Sequence, residues 1–207
     1  MKICILAVGR CGSTSLFNCI YKHLGKDYTG ISEPFNKYVN KKTYESNFQT
    51  ISDSNNVLIK VIVDIKHIPS QLNEREYFEW LFGCFDKIIL LDRIDETLQL
   101  ESFAYHTYTN SKHWHIKKRY DIDSIPKEYM DNQLTYLRIT KNKLKELSLT
   151  YNTKIYFYED IFLKIEKKVL YSLLEYIGIQ PNNEIIKNTI DSKQFKVRIE
   201  DSDISLI

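Results

Sequence analysis

Glycine and proline are scarce, at 6 and 4 of 207 residues. A sandwich of many short antiparallel strands needs turn residues at close intervals, so this composition argues against one. The 4 cysteines (Cys4, Cys11, Cys19, Cys84) show no paired spacing, which excludes a disulfide scaffold and a Cys-based zinc module. Cys4, Cys19 and Cys84 lie in apolar stretches and read as buried thiols, so a reducing compartment is expected. Charge of one sign is also missing. With 29 Lys and Arg against 27 Asp and Glu, the net charge is +2, and nothing in it calls for nucleic acid or a membrane surface. No apolar run is long enough to span a bilayer. The start of the chain lacks the basic head and long apolar core of a secretory leader. These absences lead us to expect a cytoplasmic protein with no membrane span and no nucleic-acid partner. At 43% hydrophobic and 27% charged residues, disorder is excluded.

What is present is an alternation of strand and helix patterns. The length suits one domain with one sizeable core, over 1–207. Strands are expected at Ile3–Val8, Tyr28–Ile31, Val57–Val63, Lys87–Asp92 and Lys154–Tyr158. The unbroken apolar runs among them suit a parallel sheet buried on both faces. Helices are expected at Ser13–Leu24, near Tyr44–Ile51, from Asn73 or Glu74 to Phe82, at Glu96–Tyr108, and from Pro126 to Leu149. The last of these has Leu134, Leu137, Ile139, Leu144 and Leu147 as its apolar face. A further helix spans Asp160–Ile177, with Ile161, Ile165, Val169, Leu173 and Leu174 at helical spacing and Gly178 as its stop. A short helix follows Pro181, and a charged tail begins at Asp191. The expected fold is α/β: a single-domain three-layer sandwich around a central parallel sheet of about five strands. Ligands of such sheets bind at the carboxyl ends of the strands.

The most informative stretch is Ala7-Val8-Gly9-Arg10-Cys11-Gly12-Ser13-Thr14-Ser15-Leu16. It reads as strand, tight loop and helix start. Gly9 and Gly12 permit a sharp turn and close approach of a ligand. The first-turn N–H groups, the positive end of the helix dipole and the Ser13, Thr14 and Ser15 hydroxyls converge there, and Arg10 adds a fixed positive charge. Such a loop binds a phosphate or similar anion. The same pattern also serves as a plain strand–helix turn with a serine cap. It is not a Walker A loop, which needs Lys after its last glycine.

Arg10-Cys11-Gly12-Ser13-Thr14-Ser15-Leu16 resembles the 5′-phosphosulfate loop of sulfotransferases. Two further segments carry the resemblance. Arg93, after the fourth strand, and Ser102, on the next helix, resemble the pair that holds the donor's 3′-phosphate. Glu101 is the alternative in the adjacent slot, but a carboxylate repels a phosphate. Tyr158-Glu159-Asp160-Ile161 resembles the family's Tyr-Glu-Asp-(Leu/Met) segment, and reads physically as an acidic helix start. The resemblance implies 3′-phosphoadenosine-5′-phosphosulfate as donor, bound by Arg10, Cys11, Gly12, Ser13, Thr14, Ser15, Arg93 and Ser102. It implies in-line transfer of a sulfonate to an acceptor hydroxyl on a carbohydrate or small molecule, without a metal.

That chemistry needs positive groups at the departing oxygen and a base for the acceptor proton. Arg10 and Lys60 are the cations; Lys60 interrupts an apolar strand, and a strand-edge lysine reaching solvent is the plain alternative. Glu33, in Glu33-Pro34-Phe35, resembles the base of carbohydrate-type members, and Pro34 biases Glu33 toward an extended backbone. His67 is the competing base. Two other functions stand beside this one. The apolar run ending in Asp92 has a Walker B pattern and supports a P-loop kinase or NTPase with Mg²⁺ near Asp92; a nucleotide-binding protein of the same fold without catalysis is the other. His106, His113, Trp114 and His115 lack the companion ligands of a metal site and read as a loop or an acceptor-facing surface. Lys117-Lys118-Arg119 reads by default as a solvated charge run, with the holding of an acidic acceptor as the functional alternative.

Overall fold

The computed structural model describes residues 1–35, 41–64, 68, 72–109, 122–164 and 167–191. His67, His113, Trp114, His115, Lys117, Lys118, Arg119 and the tail from 192 lie outside the described residues. Five strands form one sheet: β1 (Lys2–Ala7), β2 (Thr29–Ser32), β3 (Val57–Ile62), β4 (Lys87–Asp92) and β5 (Ile155–Phe157). Their order is β2-β3-β1-β4-β5, and every pairing is parallel. Strand β1 is central, with Ile5 level with Lys60 on one side and Ile89 on the other. Ile3 to Ala7 and Ile88 to Asp92 are buried without interruption, as expected where helices cover both faces.

The helices are α1 (Ser13–Leu24), α2 (Lys41–Asp53), α3 (Glu74–Cys84), α4 (Glu96–Tyr108), α5 (Lys127–Thr150) and α6 (Lys168–Tyr176), with a further helix over 183–191. One face of the sheet, carrying Ile3, Ile5 and Ala7, packs against α1 and α6 through Leu16, Ile20, Leu170 and Leu173. The other face, carrying Cys4, Leu6 and Val8, packs against α2, α3 and α5 through Ile51, Leu81, Leu137 and Leu144. The result is an α/β fold of three layers. Alternating side chains along each central strand feed two separate cores, so each strand is held from both sides. No helix among the described residues is long and apolar enough to cross a membrane.

Several boundaries depart from the pattern in the sequence. Helix α2 is longer than Tyr44–Ile51, and β2 begins at Thr29. Strand β5 is only Ile155–Phe157. Pro126 sits just before α5 in an extended backbone (ψ 136°), so its fixed φ prepares the helix without joining it. Ile139 is 53% exposed, and the buried stripe of α5 runs instead through Leu137, Thr140, Lys141, Leu144 and Leu147.

The continuous helix Asp160–Ile177 does not form. Glu159–Leu163 is a wide turn closed by Lys164 N–H donating to Glu159 O at 3.2 Å, and Lys167 has φ 49° before α6 starts. Adjacent Ile161 and Phe162 are both fully buried there. Burying neighbours and keeping Glu159 aimed at the β4–α4 turn overrides a helical periodicity that spans the break. Helix α6 does end at Gly178. Its φ of 75° and the bond from Ile179 N–H to Leu174 O at 2.9 Å close the last turn.

Candidate functional site

The loop between β1 and α1 lies at the carboxyl edge of the sheet, beside the ends of β3 and β4. Val8 N–H donates to Leu91 O at 3.1 Å, and Val63 N–H donates to Ala7 O at 2.8 Å, so the loop is tied to both neighbours. Arg10 (φ 64°) and Gly12 (φ 79°) are left-handed. Gly12 needs to be glycine for a second reason: a Cβ there would lie 2.6 Å from the Tyr158 ring. Helix α1 starts without a side-chain cap, and its first bonds run from Ser15 and Leu16 N–H to Gly12 O at 3.0 and 3.1 Å. The N–H group of Thr14 belongs to the first turn, which an α-helix leaves for an outside acceptor, whereas that of Ser13 also faces the Cys11 sulfur. Ser13 is buried, while Thr14 and Ser15 are half-buried. Cys11 points inward, its thiol 3.5 Å from Leu91 O. Burial first, and the Asp92 carboxylate second, push that thiol up to about 12. It is a packed residue of the loop, not a nucleophile.

Helix α4 supports the loop from above. Asp95 caps it by accepting from Leu98 N–H at 2.9 Å. Gln99, Ser102 and Phe103 then fall on one face at i, i+3 and i+4. Gln99 Nε2 donates to Gly9 O at 2.7 Å, and Arg10 Nε donates to Ser102 Oγ at 2.9 Å. The Phe103 ring lies 3.2 Å from where a Cβ on Gly9 would sit. Phe103 stacks on Tyr136 at 5.6 Å, and burial together with a bond to Asp64 raises the Tyr136 phenol.

On the β2–β3 side three of the sequence-predicted residues meet. Glu33 follows β2 with φ 55°, and its N–H donates to Lys60 O at 2.7 Å. Lys60 Nζ donates to Glu33 Oε1 at 2.6 Å and to Thr14 Oγ1 at 3.1 Å. The Lys60 side chain is 3% exposed and that of Glu33 is 23%. The strand-edge lysine reaching solvent is therefore not what forms. The extended backbone expected for Glu33 is not adopted either: its left-handed conformation turns the carboxylate back toward β3.

On the β4–β5 side the expected pairing changes. Ser102 serves Arg10, whereas Arg93 lies 5.0 Å above the Tyr158 ring and 3.6 Å from Glu159 Oε1. The reason is position: Arg93 precedes α4 and turns toward β5, while Ser102 lies two turns along α4 and faces the loop. Glu159 also accepts from Ile94 N–H at 2.9 Å and Asp95 N–H at 3.2 Å. The Tyr158-Glu159 segment thus carries a task beyond an acidic helix start. Asp92 Oδ1 accepts from Lys141 Nζ at 2.9 Å and from Arg93 N–H at 2.7 Å.

Two residues of this site have signals that the strand-end reading passes over. Gln99 is a fully buried amide on α4. Lys141 interrupts the apolar stripe Leu137, Leu144 at i+4, just as Lys60 interrupts β3. Among the described residues no group of three or more His, Cys, Asp or Glu side chains is placed to hold a metal. The arrangement gathers cations and helix N–H groups on one rim and a lysine-paired carboxylate beside them. Chemically it suits an anion next to a group whose proton is to be removed. No protein-family model matches this chain, and no curated protein matches it.

Proposed function

We propose that this protein transfers a sulfonate from 3′-phosphoadenosine-5′-phosphosulfate to an acceptor hydroxyl. The observation that carries the reading is the contact of Lys60 with both Glu33 and Thr14, beside the Gly12–Ser13 helix start. It puts a cation, a carboxylate and an anion-binding loop within one hydrogen-bonded unit. The acceptor oxygen attacks sulfur, the bond from sulfur to the bridging oxygen breaks, and 3′,5′-bisphosphate leaves. Glu33 takes the acceptor proton. Lys60, Arg10 and the first-turn N–H groups cover the charge that develops on the bridging oxygen. Arg93 reads the 3′-phosphate. A saccharide is the acceptor class that the resemblance of Glu33-Pro34-Phe35 to carbohydrate-type sulfotransferases favours.

The kinase or NTPase reading fits less well, because the Asp92 carboxylate is engaged by a buried ammonium and a backbone N–H. Thermal melting with adenosine 3′,5′-bisphosphate, AMP, and ATP with Mg²⁺ tests this directly. The bisphosphate should raise Tm well above AMP, since only a ligand of the folded state stabilises it. An equal rise with ATP and Mg²⁺ would favour the kinase. Bisphosphate binding without release against a saccharide panel would make it a nucleotide-binding protein.

A further inference from the structure

The lysine on α5 has no part in the transfer chemistry, yet it is buried at the edge of the site. Lys141 Nζ donates to Asp92 Oδ1 and also to the backbone O of Arg93 at 2.5 Å. Asp92 Oδ1 takes the N–H of the same Arg93 at 2.7 Å. One ammonium and one carboxylate therefore grip both polar groups of a single residue's backbone. On the opposite side Glu159 holds the next two N–H groups, of Ile94 and Asp95. The turn that carries Arg93 is fixed from two directions. Two apolar residues of similar volume would fill this space at lower desolvation cost. Neither would hold the Arg93 carbonyl.

We propose that Lys141 is a positioning residue for Arg93. By clamping residues 92 and 93, it holds the Arg93 guanidinium at the carboxyl edge of β4, where its side chain rests on Tyr158. The inference rests on the reading of Arg93 as the group that selects a nucleotide 3′-phosphate. Asp92 and Lys141 act on the ligand through this turn and do not touch it.

The test uses the full chain and two probes, adenosine 3′,5′-bisphosphate and AMP, titrated by calorimetry. Lys141→Met alone leaves a buried carboxylate and risks unfolding, so the paired Asp92→Leu/Lys141→Met variant is the one to read. Its ratio of bisphosphate to AMP affinity should fall roughly tenfold or more, with AMP affinity unchanged. Amide hydrogen exchange at Ile94 and Asp95, whose Glu159 acceptor is untouched, should quicken in the same variant; a lysine–aspartate pair that only fills space would leave both readouts alone. A folded paired variant with the wild-type ratio overturns the proposal, while Arg93→Ala, by losing the ratio, would still uphold the reading of Arg93. If the wild-type protein itself shows no preference for the bisphosphate, the sulfotransferase reading fails and this inference fails with it.

Discussion

Two lysine–carboxylate pairs stand at the carboxyl edge of the same sheet, and they are built differently. Lys60–Glu33, at 2.6 Å, joins β3 to the turn after β2. Lys141–Asp92, at 2.9 Å, joins α5 to the end of β4. In the first, Glu33 keeps 23% of its side chain exposed, and the lysine's second bond goes to a side-chain hydroxyl on the loop. In the second, both partners are sealed, at 11% and 6% exposure, and the lysine's second bond goes to backbone. A pair with one end open to solvent can exchange partners when a ligand arrives. A sealed pair spends its bonds on geometry, since separating it would strand a charge in the interior. Glu33 also occupies a left-handed backbone (φ 55°), which turns its carboxylate onto Lys60. On the proposed reading, the same two side-chain types serve reaction on one flank and placement on the other.

The largest expected effect lies at Glu33. Glu33→Gln keeps the shape and removes the proposed base, so turnover should fall by about 10²–10⁴-fold. Binding of adenosine 3′,5′-bisphosphate should persist or tighten, because Lys60 loses its anion and keeps its charge. Initial rates of bisphosphate release, beside calorimetry on the same variant, read both quantities. Near-normal turnover in Glu33→Gln with its loss in His67→Ala would transfer the role of base to His67.

Stability should show the reverse asymmetry. Lys141→Met should cost about 3–5 kcal/mol in urea unfolding, because Asp92 is left buried without its cation. Adding Asp92→Leu should recover most of that loss. Lys60→Met should cost less than Lys141→Met, since the partly exposed Glu33 can turn to water. Equal losses for the two lysine variants would mean that the pairs are energetically alike.

The contrast also marks how far the sequence is legible. Strand β4 and helices α1 and α4 fall where their local signals put them, because each signal is complete within a few residues. An apolar run, a Gly/Ser loop and an Asp95 cap need no distant partner. Arg10, Glu33 and Arg93 are legible as residues just past strand ends, and Lys60 as a lysine that interrupts an apolar strand, for the same reason. What links them is not. Lys60 meets Glu33 because β2 lies beside β3 in a register that sets Ser32 opposite Lys60, and strand order is a tertiary fact. Ser102 goes to Arg10 because α4 leans over the loop. The helix expected over Asp160–Ile177 breaks because Glu159 answers to a turn more than sixty residues away. Lys141 is legible only as an anomaly in an apolar stripe, and its partner is 49 residues distant.

Cys11 lies between the two pairs and reports on both. Its thiol is raised from 9.0 to about 12, by burial first and the Asp92 charge next, while Lys60 pulls it down. An unfolded chain releases this proton near pH 9.0, whereas the folded chain keeps it until about 12. Above pH 9 the unfolded state therefore binds fewer protons, and stability falls as pH rises through that window. The slope from one such group is at most about 1.4 kcal/mol per pH unit. Tyr44, raised by burial to about 12, adds to the upper part of the same limb. The difference between wild type and Cys11→Ala isolates the loop thiol. Urea midpoints from pH 8 to 10.5 should fall more steeply for wild type, and the two curves should run parallel below pH 8. Equal alkaline slopes would mean that water reaches the Cys11 thiol in the folded protein. The loop would then be more open than its contacts with Leu91 and Tyr158 make it, and the sealed flank would not extend as far as Cys11.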